Sequence, residues 1–275
     1  MRYLIAADME GITGVVTWNQ VTAGNSEYER FRKVMTGEVN AAIKGLMKDP
    51  LNDIVVTDGH GFGTNILPEE LDQRVRLNSG YNTPLGMVQG VDNQVNAAVF
   101  IGYHARMGTP NSVLDHTYSL NIANVWLNEK LVGEIGLNAA LCGYYNVPVL
   151  MLSGDAMACS EARKWIPGIL TVEVKRSSGR TSSESLSLES ARQMIQQTCE
   201  YALQRYKNDP ASAYIVKVEA PVRISIEFSN STLAEQAALL PGVARVGRRI
   251  DLAAEDMRTA YQTFRACIRL AKSDL

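Results

Sequence analysis

Apolar positions along the chain fall into two rhythms, and their alternation sets the expected elements. Tyr3–Ala7 is a short apolar run that stops at Asp8, as a buried strand would. The spacing then becomes helical over 26–48, with Tyr28, Phe31, Met35, Val39, Ala42, Ile43 and Leu46 on one face and Asp49-Pro50 ending the segment. Ser26 and Glu29 have the spacing of a capping box, in which each side chain satisfies an amide of the first turn. Further strands are expected at Asp53–Thr57, Ala97–Tyr103, 117–127, 130–132, 147–152, 170–175 and Val222–Phe228. Further helices are expected at 134–145, 155–165, 187–206, 233–240 and 254–271.

Strands alternating with helices predict an α/β fold, three-layered around a central sheet that is largely parallel or mixed. The small polar stretch 177–183 reads as a loop, a mobile segment or a boundary. It divides the chain into an α/β domain over 1–176 and a C-terminal α/β portion over 177–275. That portion is either a smaller subdomain or a continuation of the first.

Composition narrows the function classes. The 275 residues carry 27 basic and 29 acidic side chains, a net charge of −2. That balance lacks the basic excess on which nucleic-acid affinity depends, so no nucleic-acid partner is expected. No apolar run approaches the roughly 20 residues of a membrane helix, and the N-terminal run is too short for a signal-peptide core. Cys142, Cys159, Cys199 and Cys267 form no CxxC pair, which suits reduced thiols in a cytoplasmic protein.

Three histidines occur: His60, His104 and His116. Each falls at an expected strand end or the loop beyond one, where open α/β sheets bind ligands. Asp8 and Glu10 follow the first strand. Singly, each motif has an ordinary explanation: exposed loop acids, a turn histidine between Gly59 and Gly61, an imidazole at a sheet edge, and Glu134 as an acid favoured at a helix start. Together they make a mixed nitrogen and oxygen donor set that suits zinc, manganese or cobalt better than magnesium. Five donors are one too many for a tetrahedral zinc and fit two metals sharing a carboxylate, with Asp8 the natural bridge. His116 is a sixth ligand, a general base or a structural residue beside Asp115. A phosphoesterase and a non-catalytic peptide- or metal-binding module are the rival readings. Arg106, Lys175, Arg176 and Arg180 are the cations that would favour phosphate.

Asp8-Met9-Glu10-Gly11-Ile12-Thr13-Gly14, Asp58-Gly59-His60, Gly102-Tyr103-His104-Ala105-Arg106 and Gly133-Glu134-Ile135-Gly136-Leu137-Asn138 together resemble the zinc-dependent D-aminopeptidases of the M55 metallopeptidase family. Gly143-Tyr144-Tyr145, Ser153-Gly154-Asp155 and Ser225-Ile226-Glu227-Phe228 extend the likeness over nearly the whole chain. The resemblance implies two zinc ions per subunit held by Asp8, Glu10, His60, His104 and Glu134, with Asp8 bridging, and matches the family's catalytic histidine to His116. It also implies hydrolysis of the N-terminal bond of short peptides with D-amino-acid preference. The implied assembly is a homodecamer of two stacked five-membered rings.

Overall fold

The computed structural model describes residues 1–271; residues 272–275, the end of the 177–275 portion, lie outside the described residues. In chain order the strands are β1 (Arg2–Ala7), β2 (Asp53–Asp58), β3 (Arg76–Asn78), β4 (Ala97–Tyr103), β5 (Ile122–Leu127), β6 (Lys130–Leu131), β7 (Val149–Asp155), β8 (Leu170–Gly179), β9 (Ser182–Ser185), β10 (Val222–Phe228), β11 (Ala244–Val246) and β12 (Arg249–Ala254). The helices are α1 (Tyr28–Leu46), α2 (Glu134–Tyr144), α3 (Ala156–Trp165), α4 (Leu188–Asn208), α5 (Ser231–Ala237) and α6 (Met257–Leu270).

Seven strands form the central sheet in the order β3-β2-β1-β4-β7-β8-β9, parallel throughout except for the β8–β9 pair. This is the expected α/β architecture. Successive strands are added first on one side of β1 and then on the other, so the chain changes direction between β1 and β4. Such a reversal leaves a crevice at the carboxyl ends of the two strands.

Alternation along β1 feeds two cores. Tyr3, Ile5 and Ala7 pack with α1 and α4 on one face, while Leu4 and Ala6 join a second core with α2, α3 and α6. A second sheet, β11-β12-β10-β5-β6, is antiparallel and lies within that second core. It takes β5 and β6 from before residue 177 and β10–β12 from after it.

Several local expectations are corrected. Glu27, not Ser26, precedes α1; its backbone is already right-handed helical (φ −82°, ψ −19°) and no side chain caps the helix. A capping residue needs extended dihedrals, so the Ser26–Glu29 box does not form. Glu29 instead pairs with Arg32 at 3.0 Å. The 177–183 stretch is the β8–β9 hairpin, a ribbon exposed on both faces and therefore without apolar alternation. Of 117–127 only Ile122–Leu127 is a strand, because Tyr118 takes a left-handed backbone (φ 58°) that breaks the extended run. Helix α6 starts at Met257, with Asp256 accepting from the Thr259 amide at 2.8 Å, and Ala254 belongs to β12.

Candidate metal centre

Register gathers the expected donors. Ala7 pairs with Asp58 on β2 and with Ile101 on β4, so Asp8 leaves the sheet level with Gly59 and Gly102. His60 and His104 follow within two residues of that level. The Asp8 amide donates to the Ile101 carbonyl at 2.8 Å and the Gly11 amide to the Gly102 carbonyl at 2.8 Å, turning the chain across the end of β4. A β-carbon at Gly11 would overlap the Tyr103 carbonyl oxygen, so only glycine permits this approach. Glu134 is the first residue of α2. His116 arrives on the loop between β4 and β5, bracketed by left-handed backbones at Leu114 (φ 48°) and Tyr118 (φ 58°).

All six side chains converge. His60 Nδ1 lies 3.4 Å from Asp8 Oδ1 and 3.0 Å from Glu10 Oε2. His104 Nε2 lies 3.3 Å from Asp8 Oδ2 and 3.4 Å from Glu134 Oε1. His116 Nε2 lies 3.6 Å from Glu10 Oε1 and 3.9 Å from Glu134 Oε1, and its ring stacks on that of His104 with centroids 3.9 Å apart. The two oxygens of Asp8 thus face different imidazoles.

The other nitrogen of each ring is fixed by backbone. His60 Nε2 donates to the Val21 carbonyl at 2.7 Å, His104 Nδ1 to Ala105 at 3.0 Å, and His116 Nδ1 to Leu114 at 2.9 Å. A carbonyl only accepts, so these contacts place the neutral ring's proton outward and aim a lone pair inward, as metal-ligating histidines require. Burial alone would raise the Asp8 carboxyl, but His104 and His60 hold it well below the usual carboxylate range. Burial likewise opposes protonation of His60 and His104. Glu10 with Asp8 outweighs it at His60, Glu134 with Asp8 outweighs it at His104, and both imidazoles are raised well above their ordinary value. The centre is therefore a place that draws positive charge.

Asp8 Oδ2, Glu10 Oε2 and His104 Nε2 are buried without a hydrogen-bond partner. Leaving such atoms unsatisfied costs about 1–3 kcal/mol each, more for charged groups, and a cation would satisfy them together. Asp8, Glu10 and His60 offer ligand atoms within 4.8 Å of one another; so do Asp8, His104 and Glu134, and so do Glu10, His104 and His116. The first two trios share only Asp8, whose carboxylate stands between them. The third leaves His116 within reach of a cation as well.

Sequence reasoning named Lys175, Arg180 and Asp58 but missed how they shape this centre. Lys175 is buried, and its Nζ donates to the carbonyls of Glu10 (2.5 Å), Ile12 (2.9 Å) and Val15 (2.7 Å). It therefore fixes the turn that presents Glu10. Asp58 accepts from the amides of Asn65 (2.6 Å) and Ile66 (2.8 Å), closing the glycine-rich loop that holds His60. Arg180, at the tip of the β8–β9 hairpin, bonds Asp115 Oδ1 through Nε at 2.6 Å and the Asp115 carbonyl through Nη2 at 2.8 Å. Arg106 bonds the Met107 carbonyl and Arg176 bonds Glu173. None of these four cations lines the cavity of about 310 Å³ onto which the centre opens, so none of the four offers a phosphate site there. Asp58 stands in the quoted Asp58-Gly59-His60 motif; nothing local in the sequence marks Lys175 or Arg180.

The sequence model of peptidase family M55, described as D-aminopeptidase, matches residues 1–266. The chain belongs to this family. This M55 peptidase is a metallo-aminopeptidase and so a hydrolase. It is 36% identical over 273 residues to the D-aminopeptidase of Bacillus subtilis (strain 168), covering 98% of each chain. Its fold superposes with a TM-score of 0.95 on a solved structure described as the Zn-dependent D-aminopeptidase DppA from Bacillus subtilis, a self-compartmentalizing protease, at 33% identity and with both chains fully covered. Among the described residues no helix is long and apolar enough to cross a membrane, and all four cysteines are free and buried.

Proposed function

We propose that this protein is a dinuclear zinc aminopeptidase that removes the N-terminal residue of short peptides with preference for D-amino acids. The observation that carries the reading is the pair of three-donor groups joined through Asp8, with buried donor atoms lacking a hydrogen-bond partner. Asp8, Glu10 and His60 would hold one zinc and Asp8, His104 and Glu134 the other. Bound there, zinc supplies positive charge that polarises a scissile carbonyl and lowers the pKa of water from 15.7 towards ~7.

The remaining work falls to side chains. His116 Nδ1 is committed to the Leu114 carbonyl, which leaves Nε2 as an acceptor facing the cavity. That nitrogen takes a proton from the attacking water and returns it to the departing amine. The edge of Trp18 packs on the His116 ring with centroids 5.2 Å apart and limits its rotation. The tyrosine amide at 118 donates to Glu134 Oε1 at 2.6 Å and fixes that carboxylate in place. The likeness to a self-compartmentalizing relative supports a homo-oligomer; the proposed assembly is a decamer of two five-membered rings working in the cytoplasm.

The test is a panel of D- and L-alanyl dipeptides given to chelated and to zinc-replenished enzyme, with products detected directly. Zinc-dependent release of the N-terminal residue, faster from the D-series, is expected. Release that survives chelation, or equal rates on both series, contradicts the corresponding part of the proposal.

A further inference from the structure

The cavity at the metal centre is lined by one arginine and no lysine among the described residues, and that arginine is Arg265 of α6. Its guanidinium donates to the Thr83 carbonyl through Nη1 and to the Tyr81 carbonyl through Nη2 at 2.9 Å. Carbonyl dipoles orient the group without cancelling its charge. No carboxylate among the described residues forms an ion pair with Arg265, although eleven other arginines have one. The cation is also half-buried, where an unpaired charge is less tolerable than on an open surface.

The surroundings tie Arg265 to the reacting end of the cavity. Tyr118 fixes Glu134 through its amide, and its hydroxyl meets that of Tyr261 at 2.7 Å. Tyr261 and Arg265 are one helical turn apart on the same face of α6. Gly86 keeps the space before them open: a β-carbon there would lie 2.7 Å from Tyr261 Oη and 3.0 Å from Arg265 Nη1. Arg265 also borders a neighbouring hollow with Thr83 and Pro84, so it stands at the boundary of the cavity rather than at its floor. Carboxylates and imidazoles thus occupy one part of the cavity and a preoriented, uncompensated guanidinium another.

We propose that Arg265 binds the C-terminal carboxylate of the substrate, so that the preferred substrates are short peptides whose free carboxylate lies within reach of the metal centre. A guanidinium presents paired donors that match a carboxylate. A longer peptide would have to place an uncharged amide against the same cation. This inference rests on the aminopeptidase reading and specifies its substrate class.

The experiment compares D-alanyl-D-alanine with its C-terminal amide, using zinc-replete full-length protein as wild type, Arg265→Gln, Arg265→Lys and Arg269→Gln. Wild type is expected to favour the free acid in kcat/KM by about 10- to 100-fold, the range for a hydrogen bond to a charged group. Arg265→Gln should lose about that factor on the acid, mainly through KM, and change on the amide by less than about threefold. Arg265→Lys should fall between, keeping charge without the fork. Arg269, which shares the Tyr81 carbonyl at 3.1 Å but does not line the cavity, should be dispensable for the discrimination. Equal use of acid and amide by wild type overturns the proposal even if Arg265→Gln fails to fold. Equal losses on both substrates in Arg265→Gln also overturn it, since they would mean that Arg265 merely holds the 81–83 loop. Turnover of neither peptide by wild type sinks the aminopeptidase reading instead, a distinct outcome.

Discussion

Replacing Arg180 by glutamine tests whether the exposed hairpin controls chemistry at the centre. His116 sits between Leu114 (φ 48°) and Tyr118 (φ 58°), both in the left-handed region. Each such backbone costs on the order of 1–3 kcal/mol in a bulky residue and persists only where its surroundings enforce it. The enforcing contacts converge on Asp115, which is buried. Arg180 reaches its carboxylate at 2.6 Å and its carbonyl at 2.8 Å, the Gly108 amide reaches Oδ2 at 2.7 Å, and the Leu114 amide donates to the Arg180 carbonyl at 3.0 Å. Hydrogen bonds involving charge contribute roughly 1.5–3 kcal/mol when buried. The Arg180 side chain is 46% exposed, and solvent screening brings its share to about 1–2 kcal/mol. A loss of that size redistributes a two-state segment by roughly 5- to 30-fold, and where the two states lie near balance kcat on an alanyl dipeptide should fall by up to the same factor. Zinc content should stay unchanged, because Asp8, Glu10, His60, His104 and Glu134 do not touch Arg180, and Arg180→Lys should restore part of the rate. Steady-state kinetics with metal analysis of the same samples decides the matter. A kcat within twofold of wild type, or a fall that merely tracks lost zinc, would show the strain argument to be wrong.

Asp8→Ala is expected to abolish both zinc sites, whereas His60→Ala should retain one ion; elemental analysis after dialysis distinguishes the two, and a pair of tightly held ions in Asp8→Ala would refute the shared carboxylate. His116→Ala should keep its zinc and lose about 10²- to 10⁴-fold in kcat; stoichiometric loss of metal would make His116 a ligand. In chelated protein, His60 and His104 have folded values raised well above the unfolded one. Their contribution to stability is therefore complete below the unfolded value of about 6.5 and is lost as pH rises through the raised folded values. The melting temperature of the chelated protein should decline over that alkaline span, and zinc uptake near neutral pH should release protons, measurable by calorimetry in buffers of different ionisation enthalpy. A flat profile with no proton release would contradict the raised values of His60 and His104.

The parallel strands were legible because burial on both faces leaves continuous apolar runs such as Tyr3–Ala7 and Ala97–Tyr103. The convergence of Asp8, His60 and His104 followed, since parallel strand ends share one edge of the sheet. The β8–β9 hairpin was illegible for the opposite reason: its serines face water on both sides and no periodicity records the pairing. Strand β11 at the margin of the second sheet is exposed along its length and carries a similarly weak pattern, whereas β12 does alternate, with Ile250 and Leu252 buried between Arg249, Asp251 and Ala253. Lys175 and Arg180 act through partners 160–165 and 65 residues away, and no local spacing announces such contacts. The Ser26 cap failed by one residue of backbone geometry, which side-chain identity alone does not specify.

The pairing of β10 with β5, where Ile224 stands opposite Leu127, binds the end of the chain to an excursion made between two strands of the central sheet. A nascent polypeptide released before β10 is made would hold β5 with the ragged, sticky margin of an unfinished sheet, and the long loop closure it awaits makes this a late and slow event in folding. The first half of the molecule thus lacks the strand that covers this edge until its last quarter is made. Two separately expressed fragments cut in the 177–183 ribbon would be expected to need each other to fold.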